Sequence, residues 1–184
     1  MTGRRDRRHR VPARVARWIL VALGLTLGAQ IAVPMVPVPM TLQTLALILA
    51  AGLLRGGDAT LGCALYLLLG LVGLPVFAGW AEAPGLAFLE LKSGGYVLGF
   101  LVAAAWIEAR PRPDTLAEWA GRFVLTHFVV MACGAVWLLR FLPWDEALER
   151  GVLPFVPGAV LKSALGALVV VLWSARAERQ RLQP

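Results

Sequence analysis

The residues able to do chemistry in this chain are few, and they gather in four short segments. The most informative is FVPGAVLKSALG, residues 155–166, where Lys162 stands alone in an uncharged run. Pro157 suits the first turn of a helix, and Lys162 then lies about 7.5 Å further along its axis. Spacing by four puts Gly158, Lys162 and Gly166 on one face, with Ala159, Ser163 and Ala167 beside it. In a membrane such a cation costs about 2.5–3.5 kcal/mol on insertion scales and usually faces the bundle or a cavity. Snorkelling to the headgroups is the other reading its depth allows. In PVPMTLQT, residues 37–44, the prolines hold an extended approach, Thr41 or Thr44 can cap a helix, and Gln43 brings an amide that donates and accepts. GLPVFAGW, residues 73–80, offers Phe77 and Trp80 as ring faces or as anchors at the headgroup level. KSGGYVLGF, residues 92–100, pairs Gly94 and Gly95, which permit close backbone approach, with Tyr96, a flat face carrying a hydroxyl. Lys92 is a second cation there, or a solvated loop residue. An ammonium beside an amide and aromatic faces, in a low-dielectric pocket, suits a small amphipathic carboxylate or ureide.

What must position these segments follows from composition. The chain has 184 residues, of which 59% are hydrophobic and only 16% charged, against about 45–50% and about 25% in soluble domains. Its natural solvent is a bilayer. Residues 18–54 hold no charged side chain, and a single helix of that length would run roughly 55 Å against a hydrocarbon core of about 30 Å. Pro34, Pro37 and Pro39 split it into two spans. The sequence predicts six helices, over about 15–33, 41–54, 58–74, 95–109, 119–141 and 155–175, making one all-α membrane domain, 14–176. A basic tail, 1–13, expected to be disordered, precedes it, and a second tail, 177–184, follows. With the N-terminus inside, fourteen of the eighteen lysines and arginines fall on inner segments and only Lys92, Arg140, Arg150 and Lys162 on outer ones. Both termini are therefore expected in the cytoplasm, and the four segments above all fall on the outer side.

Several activities are excluded on the same grounds. The net charge of +7 reflects topology, since the cations are scattered over loop ends without the basic stripe that nucleic-acid binding needs. No glycine-rich phosphate loop is present, so the chain does not hydrolyse nucleotide. Cys63 and Cys133 have no second cysteine at ligand spacing and read as small apolar fillers. No metal site or cofactor is expected. His127 has no histidine or carboxylate at helical spacing and reads as a helix-packing hydrogen bond; Glu82 and Glu90 read as solvated loop acids. No enzyme is expected.

In their order, PVPMTLQT, GLPVFAG, GGYVLGF and PFVPGAVLK resemble the biotin-specific substrate-binding subunits of energy-coupling factor transporters, the BioY family, over residues 18–172. The resemblance implies a six-helix binding protein of the bacterial plasma membrane that captures biotin on the outer side. It also implies a transmembrane coupling protein and two cytoplasmic ATPases as partners. The implied pocket is formed by the loop after the third helix and the outer ends of the second, fourth and sixth, with Gln43, Tyr96 and Lys162 at family motif positions; Thr41, Phe77, Gly94 and Gly95, from the same segments, complete the expected substrate-binding set. Gly24 and Gly28 in the first helix are implied to dock on the coupling protein, with internal packing as the equal alternative. The family commonly carries an aspartate directly after Pro-Gly in the last motif, and here Ala159 takes that place. A carboxylate acceptor for a ureido N–H is thus missing; Gln43 or a backbone carbonyl could substitute, or the ligand is a relative such as dethiobiotin or lipoate. A structural membrane subunit without a ligand is the other class of reading.

Overall fold

The computed structural model describes residues 3–182. Residues 1, 2, 183 and 184, the extremities of the two expected tails, lie outside the described residues, as do the side chains before Val11, His9 among them. Helix α1 spans Gly3–Gln30, so the stretch expected to be disordered continues the first helix instead, with Pro12 inside it. A two-residue antiparallel pair follows, β1 (Ala32–Val33) with β2 (Met40–Thr41), in the register Ala32↔Thr41 and Val33↔Met40. This hairpin folds the proline segment back beside the end of α1. Then come α2 (Gln43–Leu53), α3 (Asp58–Leu71), α4 (Gly94–Glu108), α5 (Leu116–Leu138), a short α6 (Trp144–Gly151) and α7 (Val156–Leu182). Five helices begin within three residues of their expected starts; α1 begins earlier. The surface helix α6 was not foreseen.

Each junction has a local cause. The α2–α3 turn passes through Gly56 and Gly57 at φ of 72° and 81°, a conformation that costs other residues strain. The first N–H groups of α3 are held by Glu108 from the end of α4, which accepts from Ala59 and Thr60 nitrogens at 3.2 and 2.9 Å. Helix α5 opens with a capping box between Thr115 and Glu118.

Three stretches, Val11–Gln30, Leu116–Leu138 and Trp144–Gln180, are long and apolar enough to cross a membrane. Helices α2, α3 and α4 have 11, 14 and 15 residues, or about 16 to 22 Å of length, short of a core about 30 Å thick. Non-helical backbone is tolerated at membrane depth only where protein buries it or where it lines a cavity. Parts of the segments 31–42 and 72–93 are held against the protein in this way. Leu42 N–H donates to the Gly28 and Ile31 carbonyls at 3.0 and 3.1 Å, and Val76, Phe77, Ala83 and Phe88 of the longer segment are all buried.

The packing surfaces are made by small residues. A Cβ on Gly28 would stand 3.1 Å from the backbone of Leu42 and Gln43, so glycine lets α1 approach the start of α2 without a shift of either backbone. Gly24 faces Ala46 of the same helix at 3.9 Å. Both glycines expected at a partner surface therefore lie in the α1–α2 interface, the alternative of internal packing. Along α7, Gly158, Lys162 and Gly166 share one face as the spacing predicts: Gly158 meets Met40, Lys162 meets Thr41 and Thr44, and Gly166 meets Ile48.

Candidate functional site

Where α2 and α4 begin, the polar segments line a cavity of about 60 Å³, well below the roughly 300–1,000 Å³ of ligand sites. The cavity is a narrow cleft lined by β2, the starts of α2, α4 and α7, Tyr66 of α3, Phe77 and Ala78 of the long loop, and the middle of α5. Most of its wall is apolar: Val38, Met40, Val97, Phe100, Val130, Met131 and Phe155.

Lys162 is the one cation on that wall. Its Nζ donates to the Thr41 carbonyl at 2.8 Å and to the Thr44 hydroxyl at 3.1 Å. An ammonium carries three N–H groups, so one remains for a guest. No aspartate or glutamate lines the cavity, and the lysine's charge is solvated by neutral oxygens alone. Thr41 has a second role. Its hydroxyl accepts from the Gln43 backbone N–H at 3.3 Å and donates to Gln43 Oε1 at 3.0 Å, so it satisfies one free N–H at the start of α2, while Thr44 serves the lysine.

Gln43 is 5% exposed and its amide is largely engaged. Besides accepting from Thr41, it donates through Nε2 to the Tyr66 hydroxyl at 2.7 Å, and Tyr66 donates onward to the Val76 carbonyl at 3.3 Å. Gln30 pins the same loop from α1, donating to the Phe77 carbonyl at 3.1 Å and accepting from the Trp80 nitrogen at 3.0 Å. These bonds hold Phe77 edge-on to Tyr66 with ring centroids 5.6 Å apart. The long loop is thereby anchored to α1, α2 and α3. Trp80 itself is 58% exposed and does not line the cavity.

Of the residues expected at the site, Thr41, Gln43, Phe77, Tyr96 and Lys162 come together on this wall. Tyr96 offers only its ring, because its hydroxyl donates to the Gly151 carbonyl at 2.5 Å. Gly94 and Gly95 do not reach the cavity. They lie against the Trp137 side chain, where an added Cβ would stand 2.8 and 2.1 Å from ring and Cβ atoms, so their role is to seat α4 on α5. Lys92 is exposed and outside the lining.

Two wall elements were missed in the sequence, Tyr66 and the α5 residues His127, Val130 and Met131. His127 is 3% exposed. Its Nδ1 lies 2.8 Å from the Phe123 carbonyl and 3.1 Å from the Ser163 hydroxyl, while its Nε2 is buried without a partner. The expected helix-packing bond exists, but it uses only one of the two ring nitrogens.

The fold and the cavity define a helical membrane protein with a mostly apolar cleft whose wall carries one cation, Lys162. The chain belongs to the BioY family, whose model matches residues 5–179. It is 36% identical over 154 residues to the biotin transporter BioY2 of Lactococcus lactis subsp. cremoris (strain MG1363), covering 79% of this chain and 83% of that protein. To the probable biotin transporter BioY of Pyrococcus horikoshii it is 35% identical over 154 residues, covering 82% and 91%. A crystal structure described as the S-component for biotin from an ECF-type ABC transporter superposes with a TM-score of 0.68 at 24% identity, over 100% of this chain and 96% of that one, a likeness of fold.

Proposed function

We infer that this chain is the substrate-binding subunit of a biotin uptake transporter of the energy-coupling factor type, and not an enzyme. One observation carries the reading: a half-buried lysine faces a narrow cleft in which no carboxylate pairs with it. A buried cation left without a counter-ion is costly, and the carboxylate of the vitamin supplies that counter-ion when it binds. Thr41 and Thr44 orient the ammonium, Gln43 holds the start of α2 to Tyr66, and Phe77, Tyr96 and the apolar wall enclose the ring system. The cleft is narrow, so entry of biotin displaces Phe77 and the loop that carries it.

The chain crosses the plasma membrane of a bacterium six times with both termini in the cytoplasm. The concentration of fourteen of the eighteen cations on one side supports that orientation. The three short helices complete their crossings through the loops around the cavity. Since the chain has no phosphate loop of its own, release on the inner side is driven by a coupling protein with two ATPases. Gly28 is packed against α2 while Gly24 stays part-exposed, so Gly24 and the exposed apolar side of α1, with Ile19, Leu20, Leu23 and Leu27, are the parts of that helix free to meet a partner.

Isothermal titration of the purified protein in detergent with biotin tests the reading. One saturable site is expected, with dethiobiotin and lipoate binding more weakly. Tighter binding of either analogue would transfer the function to that ligand, and the absence of saturable heat with all three would leave a structural subunit.

A further inference from the structure

Beside the cavity one buried polar atom has no partner among the described residues, and a ligand reaches it once the cleft widens to admit the ligand. His127 is 3% exposed, lines the cavity from α5, and its Nε2 has no hydrogen-bond partner among the described residues. Buried polar atoms are almost always paired, and an exception asks for a reason. The other ring nitrogen fixes what Nε2 can do. Nδ1 lies 2.8 Å from the Phe123 carbonyl, which can only accept, so the hydrogen is on Nδ1. The Ser163 hydroxyl, 3.1 Å away, braces the same nitrogen from α7. In the neutral ring Nε2 is then a bare lone pair, an acceptor.

Each of the other buried polar side chains on the wall, Gln43, Tyr66 and Tyr96, already makes a hydrogen bond. Gln43 Oε1 accepts from Thr41, and the Tyr66 and Tyr96 hydroxyls donate to carbonyls. Lys162 is a donor only. A second cation next to it would be unpaired, since no carboxylate lines the cavity, and this keeps the imidazole neutral. We propose that His127 Nε2 is a specificity-determining acceptor that receives an N–H of the ligand, which under the biotin reading is a ureido N–H on a compact apolar ring. The proposal rests on the biotin reading for the identity of the natural ligand but not for the chemistry of the atom. Lys162 then recognises one end of the solute as an anion and His127 the other as a donor.

The chain has only two histidines, so labelling histidine nitrogens with ¹⁵N and recording spectra of the wild type and of His127→Gln isolates the His127 signals. The probes are biotin and 2-imidazolidinone, a cyclic urea with no carboxylate. The expected result is an unprotonated Nε2 in the free protein whose resonance shifts with either probe, together with a tenfold or greater loss of biotin affinity in His127→Leu. His127→Gln, which retains an acceptor oxygen, recovers part of that loss, and melting curves of both variants verify folding. If biotin binds the wild type but His127→Leu binds it as tightly, the acceptor role is overturned while the transport reading stands. If 2-imidazolidinone shifts Nε2 but biotin does not bind, the acceptor role stands and the transport reading fails. A resonance that neither probe moves, or a protonated Nε2 in the free protein, overturns the proposal.

Discussion

At one end of α2 the bundle buries an acid; at the other it buries a base, and the two are treated differently. Asp58 is 1% exposed. It accepts from Arg14 Nε at 3.0 Å and Trp18 Nε1 at 2.9 Å through Oδ1, while Arg17 stands 3.0 Å from Oδ2 as an ion pair without hydrogen-bond alignment. Arg14 also ties the α2–α3 turn to α1 through the Gly56 carbonyl at 2.9 Å. The charge is neutralised within the protein, and what it gains is the attachment of α3 to α1. Lys162 meets only a carbonyl and a hydroxyl, and the space beside it is open. Burial of a charge alone does not mark a function. What marks it is a charge whose counter-ion the protein does not contain.

That contrast gives Asp58→Ala the largest effect on the fold and the smallest on the ligand. Loss of the charged hydrogen bonds should lower unfolding stability by about 2–3 kcal/mol, less than for a fully buried pair, because Arg14 and Arg17 are part-exposed and regain water. Denaturation in detergent reads the loss, and biotin affinity of the folded fraction should stay within about twofold, well under the roughly 1.4 kcal/mol that a tenfold change represents. A collapse of binding at unchanged stability would reverse the assignment of the two ends.

Lys162→Met is the mirror experiment. Methionine retains the bulk and removes a cation from a site without a carboxylate, so stability should change by less than about 1 kcal/mol in either direction. Biotin affinity should fall at least tenfold, about 1.4 kcal/mol, and dethiobiotin and lipoate, which share the carboxylate, should weaken with it. Calorimetric titration of all three ligands checks this. Unchanged affinity would show that the lysine only braces Thr41 and Thr44.

How far the sequence discloses this contrast depends on how local each feature is. The shared face of Gly158, Lys162 and Gly166 follows from helical spacing, and the split at Pro34 to Pro39 from the missing backbone donors; both are legible within a few residues. So were Thr41, Gln43, Phe77 and Tyr96 as wall residues, each beside a helix start or a loop. The Asp58 cluster is not legible, because its partners Arg14, Arg17 and Trp18 lie at least forty positions away in sequence and meet it only once α1 packs on α3. His127 reads as an ordinary packing residue since its i−4 carbonyl bond is real; that the residue lines a cavity and its other nitrogen is buried without a described partner is a fact of tertiary structure. Gly94 and Gly95 mislead in the opposite sense, because paired glycines at a helix start look alike whether a ligand or the Trp137 ring lies against them. For Gly24 and Gly28 a small-residue pair shows that something approaches α1, and the fold reveals it to be α2.

The mouth of the cavity offers the finest discrimination. Lys92 lies one residue before Ser93, which lines the cavity, yet it is exposed and makes no hydrogen bond to another described residue. An exposed cation acts on a ligand through high-dielectric solvent, where unit charges 4 Å apart interact by only about 1 kcal/mol, and salt removes most of that. Raising ionic strength from about 0.1 M to about 1 M shortens the screening length from about 10 Å to about 3 Å. Lys92→Ala should therefore change biotin affinity by less than about twofold at the lower salt and not at all at the higher, while the effect of Lys162→Met survives in both, because its half-buried ammonium is shielded from mobile ions. Titrations of the two variants at the two salt concentrations separate attraction at the mouth from recognition inside. A large, salt-sensitive effect of Lys92→Ala would move the charged contact out to the loop and leave Lys162, like Asp58, a fixture of the scaffold.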